Sequence, residues 1–290
     1  MRKGVGGTVQ ARQVGRHLRE LRKEAGVSVD RAADEIGVSE ATLYRFESGT
    51  SIPRPPDVKE LCEMYGADSD IAEGLVALAK EANTPGWWRS YNGAIPRYFD
   101  TYVSLESAAE TIQVYEAEMI LGLLQTHRYA EGVFRRSPSA PSEEEVRRRL
   151  EVRIRRQRIL DRRNPPKLDV LLGEIALVRS PGRDIMAEQL AHLDAMSRRP
   201  DVTIRMVPMG LLHCGVDFGA RFTLLTFPRN RHGVGEPPVT CTDNLNGALF
   251  LDKPDEIEVF RATWNGVLEA ALPPSDSRKL INEYRERNER

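Results

Sequence analysis

Cysteine is scarce in this chain. Cys62, Cys214 and Cys241 stand far apart, with no CxxC pair and no Cys/His spacing of a zinc site. A disulfide framework is therefore not what organises the fold, and a reducing compartment is favoured. No apolar run approaches the length of a membrane span, and the opening MRKGVGGTVQAR has basic residues but lacks the apolar core of a signal peptide. The expected location is the cytoplasm, with no membrane partner. An excess of one charge is missing too: 42 Lys+Arg stand against 43 Asp+Glu, a net charge of -1, so no global polycation announces a nucleic-acid partner.

Catalytic and cofactor signatures are equally thin. His17, His127, His192, His213 and His232 form no HxxxH or HxH pair, so no metal site is readable. GVGEPP and SPGRD are Gly/Pro turns rather than phosphate loops, since neither GxxxxGK[ST] nor GxGxxG follows a strand. The best catalytic fragment is His213 beside Cys214, with Asp217 and Glu174 as further polar candidates. Neighbours on one backbone rarely point at each other, so adjacency does not make a nucleophile pair. The expectation is a non-enzyme with no cofactor and no metal.

What is present is a chain of 290 residues, 40% hydrophobic and 29% charged, enough for two domains. The stretch from Ser28 to Gly49, SVDRAADEIGVSEATLYRFESG, reads as helix, tight turn and helix. Ala33 lies four residues before Gly37, so a small side chain lets two helices approach where Gly37 supplies the turn. Ser28 and Ser39 stand where an N-cap hydroxyl satisfies an orphan amide. Ile36, Val38, Leu43 and Phe46 provide the buried contacts.

Around this motif the periodicity predicts further helices. Val14, Leu18 and Leu21 mark one over about 12–25, ended by Gly26; others run over about 57–65, capped by Gly66, and about 69–81. The result is an all-α, five-helix domain over 11–82 behind a flexible leader, 1–10. Residues 83–101 concentrate Gly, Pro and aromatics, among them Trp87, Trp88, Tyr91, Tyr98 and Phe99, and suit an ordered linker more than an aromatic ligand box. A mixed α+β domain is expected over 102–290. Its elements are a short helix at 105–110, a strand at 111–115, a helix from about Thr126 and a long helix from the Ser142 cap to about Arg163. The strands LDVLLGE, VTIRMVP, RFTLLTF and VTCTDN follow, with helices over about 184–198, 255–271 and 275–289.

Basic residues cluster locally at 1–31 and again from Arg147 to Arg163, where Val146, Leu150 and Ile154 repeat every four residues. Such a helix lies on a partner, on DNA phosphates or on its own domain, and most charge runs are simply solvated faces.

LRELRKEAGVS, AADEIGVSEATLYRFESG, IPRP and VKELCEMYG closely resemble the DNA-binding domain of phage-repressor-like regulators, the xenobiotic-response-element (XRE) family. The resemblance implies a recognition helix over 39–47, entering the major groove by its N-terminal half. Ser39, Glu40, Ala41, Thr42, Tyr44 and Arg45 then face the DNA. Arg45 would donate twice to guanine, Glu40 would accept from cytosine N4, and Ala41 or Thr42 would meet a thymine methyl. It also implies an ion pair between Arg22 and Glu47. Where the family often has a phosphate-contacting Gln, this chain has Val29, which shifts phosphate contacts to Arg16, Arg31, Thr50 and Arg54.

The second half, through YEAEMILGLLQTHRYAEGVF, RRRLEVRIRRQRIL, LLGEIAL, EQLAHL, VTIRMVP, FTLLTF and FRATWNGVLEAALPPSDSRKLI, resembles the C-terminal domain of actinobacterial antitoxin-like helix-turn-helix regulators. That resemblance implies a small acidic partner protein from an adjacent gene. A homodimer on a pseudo-palindromic double-stranded operator is expected, with a small-molecule sensor as the alternative for the second domain and an enzyme carrying a DNA-binding module as the less favoured one.

Overall fold

The computed structural model describes residues 9–83, 97–138, 141–210, 221–228, 236–244 and 247–290. His213, Cys214, Asp217, Trp87, Trp88 and Tyr91 lie outside these described residues, as does most of the leader. The chain divides into two compact units that alternate along the sequence. One gathers Met1–Ser90, Asp100–Ala108 and Pro228–Glu236; the other gathers Tyr91–Phe99, Ala109–Phe227 and Pro237–Arg290.

The first unit holds five helices in succession: α1 (Val9–Glu24), α2 (Val29–Glu35), α3 (Glu40–Glu47), α4 (Pro55–Met64) and α5 (Ser69–Asn83). Hydroxyl caps set two of the starts. The Arg31 amide donates to Ser28 Oγ at 3.2 Å and the Thr42 amide to Ser39 Oγ at 3.3 Å. Left-handed glycines at Gly26, Gly37, Gly49 and Gly66 end the first four helices. One core takes a stripe from each: Val14 and Leu18, Ala33, Leu43 and Phe46, Val58 and Leu61, Leu75 and Ala79. Fully burying a leucine such as Leu43 contributes roughly 1.5–3 kcal/mol. Cys62 belongs to this core, and burial pushes its thiol up to about 11, so it behaves as a small hydrophobe.

Helix α6 (Arg97–Ala108) follows. The short helix expected at 105–110 is only the end of this element, which starts inside the stretch assigned to the linker; the Gly/Pro texture upstream hid its first turns.

The second unit is built on a six-stranded mixed sheet: β1 (Thr111–Glu116), β2 (Lys167–Gly173), β3 (Val202–Val207), β4 (Phe222–Thr226), β5 (Val239–Asn244) and β6 (Gly247–Leu251). The spatial order is β3-β2-β1-β4-β5-β6. β1, β2 and β3 pair in parallel, and β1 pairs antiparallel with β4, which begins an antiparallel run to β6. The parallel part needs long crossovers. Helices α7 (His127–Arg135) and α8 (Glu143–Gln157) supply the first, and α9 (Arg183–Met196) the second. On one face Tyr115, Leu171, Val207 and Phe222 meet Trp264 and Val267 of α10 (Pro254–Ala270). Ile112, Val114, Leu168, Val170, Ile204 and Met206 are buried at the alternate positions, so both faces of the parallel half are covered and β2 reads as a nearly continuous apolar run.

Helix α11 (Pro274–Glu289) closes the unit. The turn before it is tied to the edge strand β3: Leu272 N donates to Met206 O at 2.8 Å, and Met206 N to Ser277 Oγ at 2.9 Å. The long helix expected to reach Arg163 ends instead at Gln157 and tightens into a 3-10 turn over Arg158–Asp161. The reason is local: the Gln157 amide donates to the carbonyls of Gly122 (2.9 Å) and Gln125 (2.7 Å), and the tighter turn rolls Ile159 and Leu160 inward.

Candidate nucleic-acid interface

Helix α3 is amphipathic over only eight residues, and the two sides do different work. Leu43 and Phe46 are buried, whereas Ser39, Glu40, Ala41, Tyr44 and Arg45 are exposed and Thr42 is half-buried. Tyr44 is 56% exposed on the outer side.

Hydroxyls and guanidinium on the exposed side are linked in a row. Ser39 Oγ and Thr42 Oγ1 lie 3.0 Å apart, and Arg45 Nη2 donates to Thr42 Oγ1 at 2.9 Å. Arg45 thus lies along the helix toward its N-terminus, where its remaining N–H groups stay available for a bidentate acceptor.

The inner side is braced by charge. Arg22 of α1 donates to both carboxylate oxygens of Glu47, from Nε at 2.5 Å and Nη2 at 3.0 Å, and its Nη1 donates to Val27 O at 2.9 Å. Both side chains are buried, and the Glu47 hydrogen bond raises the Arg22 pKa above its ordinary value. A bidentate pair with a further donor on a backbone carbonyl offsets much of the cost of burying the two charges.

Close backbone approach sets the seat of α3. A Cβ added at Gly15 of α1 would lie 2.1 Å from the carbonyl oxygen of Phe46, and one at Gly49 would lie 2.6 Å from Arg12 Cα. Gly49 closes the motif read from the sequence, whereas Gly15 is a site-forming residue that motif reading passed over. The available signal was Gly15 itself, a glycine inside a helical pattern, which costs roughly 1 kcal/mol unless packing requires it. Ala33 is buried beside this seat, and Gly37 makes the turn at φ 64°. Val29, at the position where the family often has a phosphate-contacting glutamine, packs against the helical core.

The expected phosphate contacts divide into two groups. Arg31 is exposed at the first turn of α2 and Thr50 is exposed just after α3, with its hydroxyl 2.8 Å from Ser48 Oγ. Arg16 and Arg54 are engaged within the unit. Arg16 Nη2 donates to Glu236 at 3.0 Å, and Arg54 donates to Asp57 from Nε at 3.0 Å and Nη2 at 2.7 Å. Asp57 holds the Arg54 guanidinium above its ordinary pKa. Arg54 remains exposed at the start of α4, so its bond to Asp57 orients it without hiding it.

Residues 13–73 match the model described as a helix-turn-helix domain. Residues 99–283, well over half of the chain, match the model described as a domain of unknown function, DUF5753. The chain belongs to the DUF5753 family. Comparison with curated proteins and with solved structures returned no match. An N-terminal helix-turn-helix domain supports a DNA-binding regulator, and no described helix is long and apolar enough to cross a membrane.

Within the DUF5753 region the arginine-rich helix α8 is not a uniform basic face. Arg153 donates to Gln125 at 2.7 Å and lies over the Phe134 ring, and Arg156 is buried with its guanidinium over Phe99. Arg147, Arg155 and Arg158 instead line an open cleft of about 580 Å³ with Val146, Leu150 and Ile154, and Glu131, Glu143 and Glu151 line it too. Glu174, a catalytic candidate in the sequence, has both oxygens occupied: it accepts from Met209 N and from Tyr284 Oη, each at 2.8 Å. It ties the segment after β2 to the segment after β3 and to α11. Among the described residues no group of three or more His, Cys, Asp or Glu gathers to hold a metal.

Proposed function

We propose that this protein is a cytoplasmic, sequence-specific transcriptional regulator of the XRE type that reads DNA with α3. The observation that carries the reading is the division of labour on α3: its inner side is pinned by Arg22–Glu47 and by contact with Gly15, while Ser39, Thr42 and Arg45 form a linked polar row outside. A polar row on a rigid mount suits base-edge readout, because each hydrogen bond is made with little ordering cost. One short helix reads too few base pairs to discriminate strongly, so the protein acts as a homodimer on a pseudo-palindrome with half-sites about one helical turn apart. It works by binding and not by catalysis.

The C-terminal unit is antitoxin-like and is controlled by a small acidic partner protein. Support comes from the family resemblance and from the α7/α8 cleft, where an apolar floor is lined by Arg147, Arg155 and Arg158 together with Glu131, Glu143 and Glu151, a mixed-charge surface suited to a protein partner. Selection of bound duplexes from a random pool by the full-length protein, followed by footprinting of the enriched sequence, tests the DNA reading. A two-fold-symmetric footprint is the expected result; an asymmetric, monomer-sized one overturns the dimer.

A further inference from the structure

A second cleft in the DUF5753 region lies at the carboxyl end of β1, where the parallel half of the sheet meets the antiparallel half. In open sheets this end of the strands is where ligands gather. Its volume of about 590 Å³ is within the range of small-molecule sites. Ala117, Met119, Val133 and Pro181 give it an apolar wall.

Its charges are of both signs. Glu116 is largely withdrawn from solvent at the strand end, and burial raises its pKa to about 7, against the pull of Arg221. At the rim Arg179 donates to Glu118, both roughly half exposed. Arg136 lines the same cleft, its guanidinium donating to Gly132 O at 3.1 Å and Pro181 O at 2.6 Å. Arg221 turns to Asp243 at 2.9 Å.

This distribution selects by charge. A simple anion meets Glu116 and Glu118, and a simple cation meets three arginines, so neither is served by the whole cleft. A molecule carrying both charges is served, because it can take over the partners that Glu118 and Arg179 now give each other. We infer that the cleft binds a small zwitterion of the amino-acid or short-peptide class, its ammonium group on Glu116 and Glu118 and its carboxylate on Arg179 and Arg136. The ligand's ammonium then adds a second cation, beside Arg221, to the largely desolvated Glu116 carboxylate.

The test is calorimetric titration of the full-length protein, without DNA, at pH 7.5. The probes are the standard amino acids and a set of dipeptides, with methylammonium and acetate as single-charge controls. Saturable binding of at least one zwitterion is expected, weakened tenfold or more by Glu116→Gln and by Arg179→Gln, with neither control binding. Glu116→Gln removes a buried charge and Arg179→Gln changes an exposed side chain, so both should fold, and circular dichroism checks that they do. The inference is overturned if no zwitterion binds, if the folded variants bind as tightly as the parent, or if a single-charge control binds as well as the zwitterion. Because the readout involves no DNA, its failure is separate from failure of the regulator reading.

Discussion

Replacing Gly15 by alanine sets two effects of known size against each other. In the interior of an exposed helix, Gly→Ala stabilises by roughly 0.5–1 kcal/mol, because alanine has less backbone entropy to lose. Gly15 faces the opposite term: the new Cβ would sit 2.1 Å from Phe46 O and 3.0 Å from Glu47 C and O, all backbone atoms. Relief requires α1 and α3 to part by about an ångström, since no flexible side-chain end is there to yield. Overpacking of this kind costs about 1–3 kcal/mol, and a rigid partner puts it at the upper end. The net expectation is a loss of about 2 kcal/mol. Gly74 of α5 is the matched control, because a Cβ there meets nothing within 4 Å; Gly74→Ala should stabilise by about 0.5–1 kcal/mol. Urea unfolding of the full-length protein, followed by helical circular dichroism, compares the two. Midpoints that move in opposite directions support the seat of α3, and a Gly15→Ala midpoint that rises with that of Gly74→Ala refutes it. DNA affinity should fall for Gly15→Ala alone.

Glu47→Gln leaves the Arg22 guanidinium buried without its countercharge and should cost about 3–5 kcal/mol, whereas Arg22→Met with Glu47→Leu should recover most of that; thermal unfolding separates the outcomes. Arg31→Ala should weaken binding to all sequences alike and reduce the salt slope by about 1, measured by fluorescence anisotropy across salt concentrations. Glu116 has a folded pKa of about 7, above its ordinary 4.5, so the stability linked to it is complete below about pH 4.5 and is lost as pH rises to about 7. Arg221, Glu118 and Asp243 set the charge around it. The urea midpoint should fall through that window in the parent and be flatter in Glu116→Gln.

The helical unit was largely legible in the sequence because its determinants are local. The stripe Val14, Leu18, Leu21, the hydroxyls Ser28 and Ser39 and the glycines Gly26, Gly37 and Gly66 act within a few residues of where they stand. The Arg22–Glu47 pair was readable only through family resemblance, since 25 residues separate its members. Gly15 was missed because its reason is a carbonyl on another helix. In the second unit the strands could be picked out, but their order could not: β1 lies between β2 and β4, partners more than 50 and 100 positions away, and register is set by which faces bury apolar residues. The end of α8 escaped because Gln157 binds the distant carbonyls of Gly122 and Gln125. Nothing in the sequence singled out Glu116, because only the assembled sheet withdraws it from water.

The central claim, that the outer row of α3 reads bases, is tested most directly by Arg45→Ala. The measurement is the ratio of affinities for the selected operator and a scrambled duplex of the same length, at one fixed salt concentration. Loss of a bidentate base contact should lower that ratio by about 1–3 kcal/mol, or roughly 5- to 150-fold, while affinity for the scrambled duplex changes much less. An Arg45→Ala protein that keeps the parent's ratio, even if it binds both duplexes more weakly, would contradict the account.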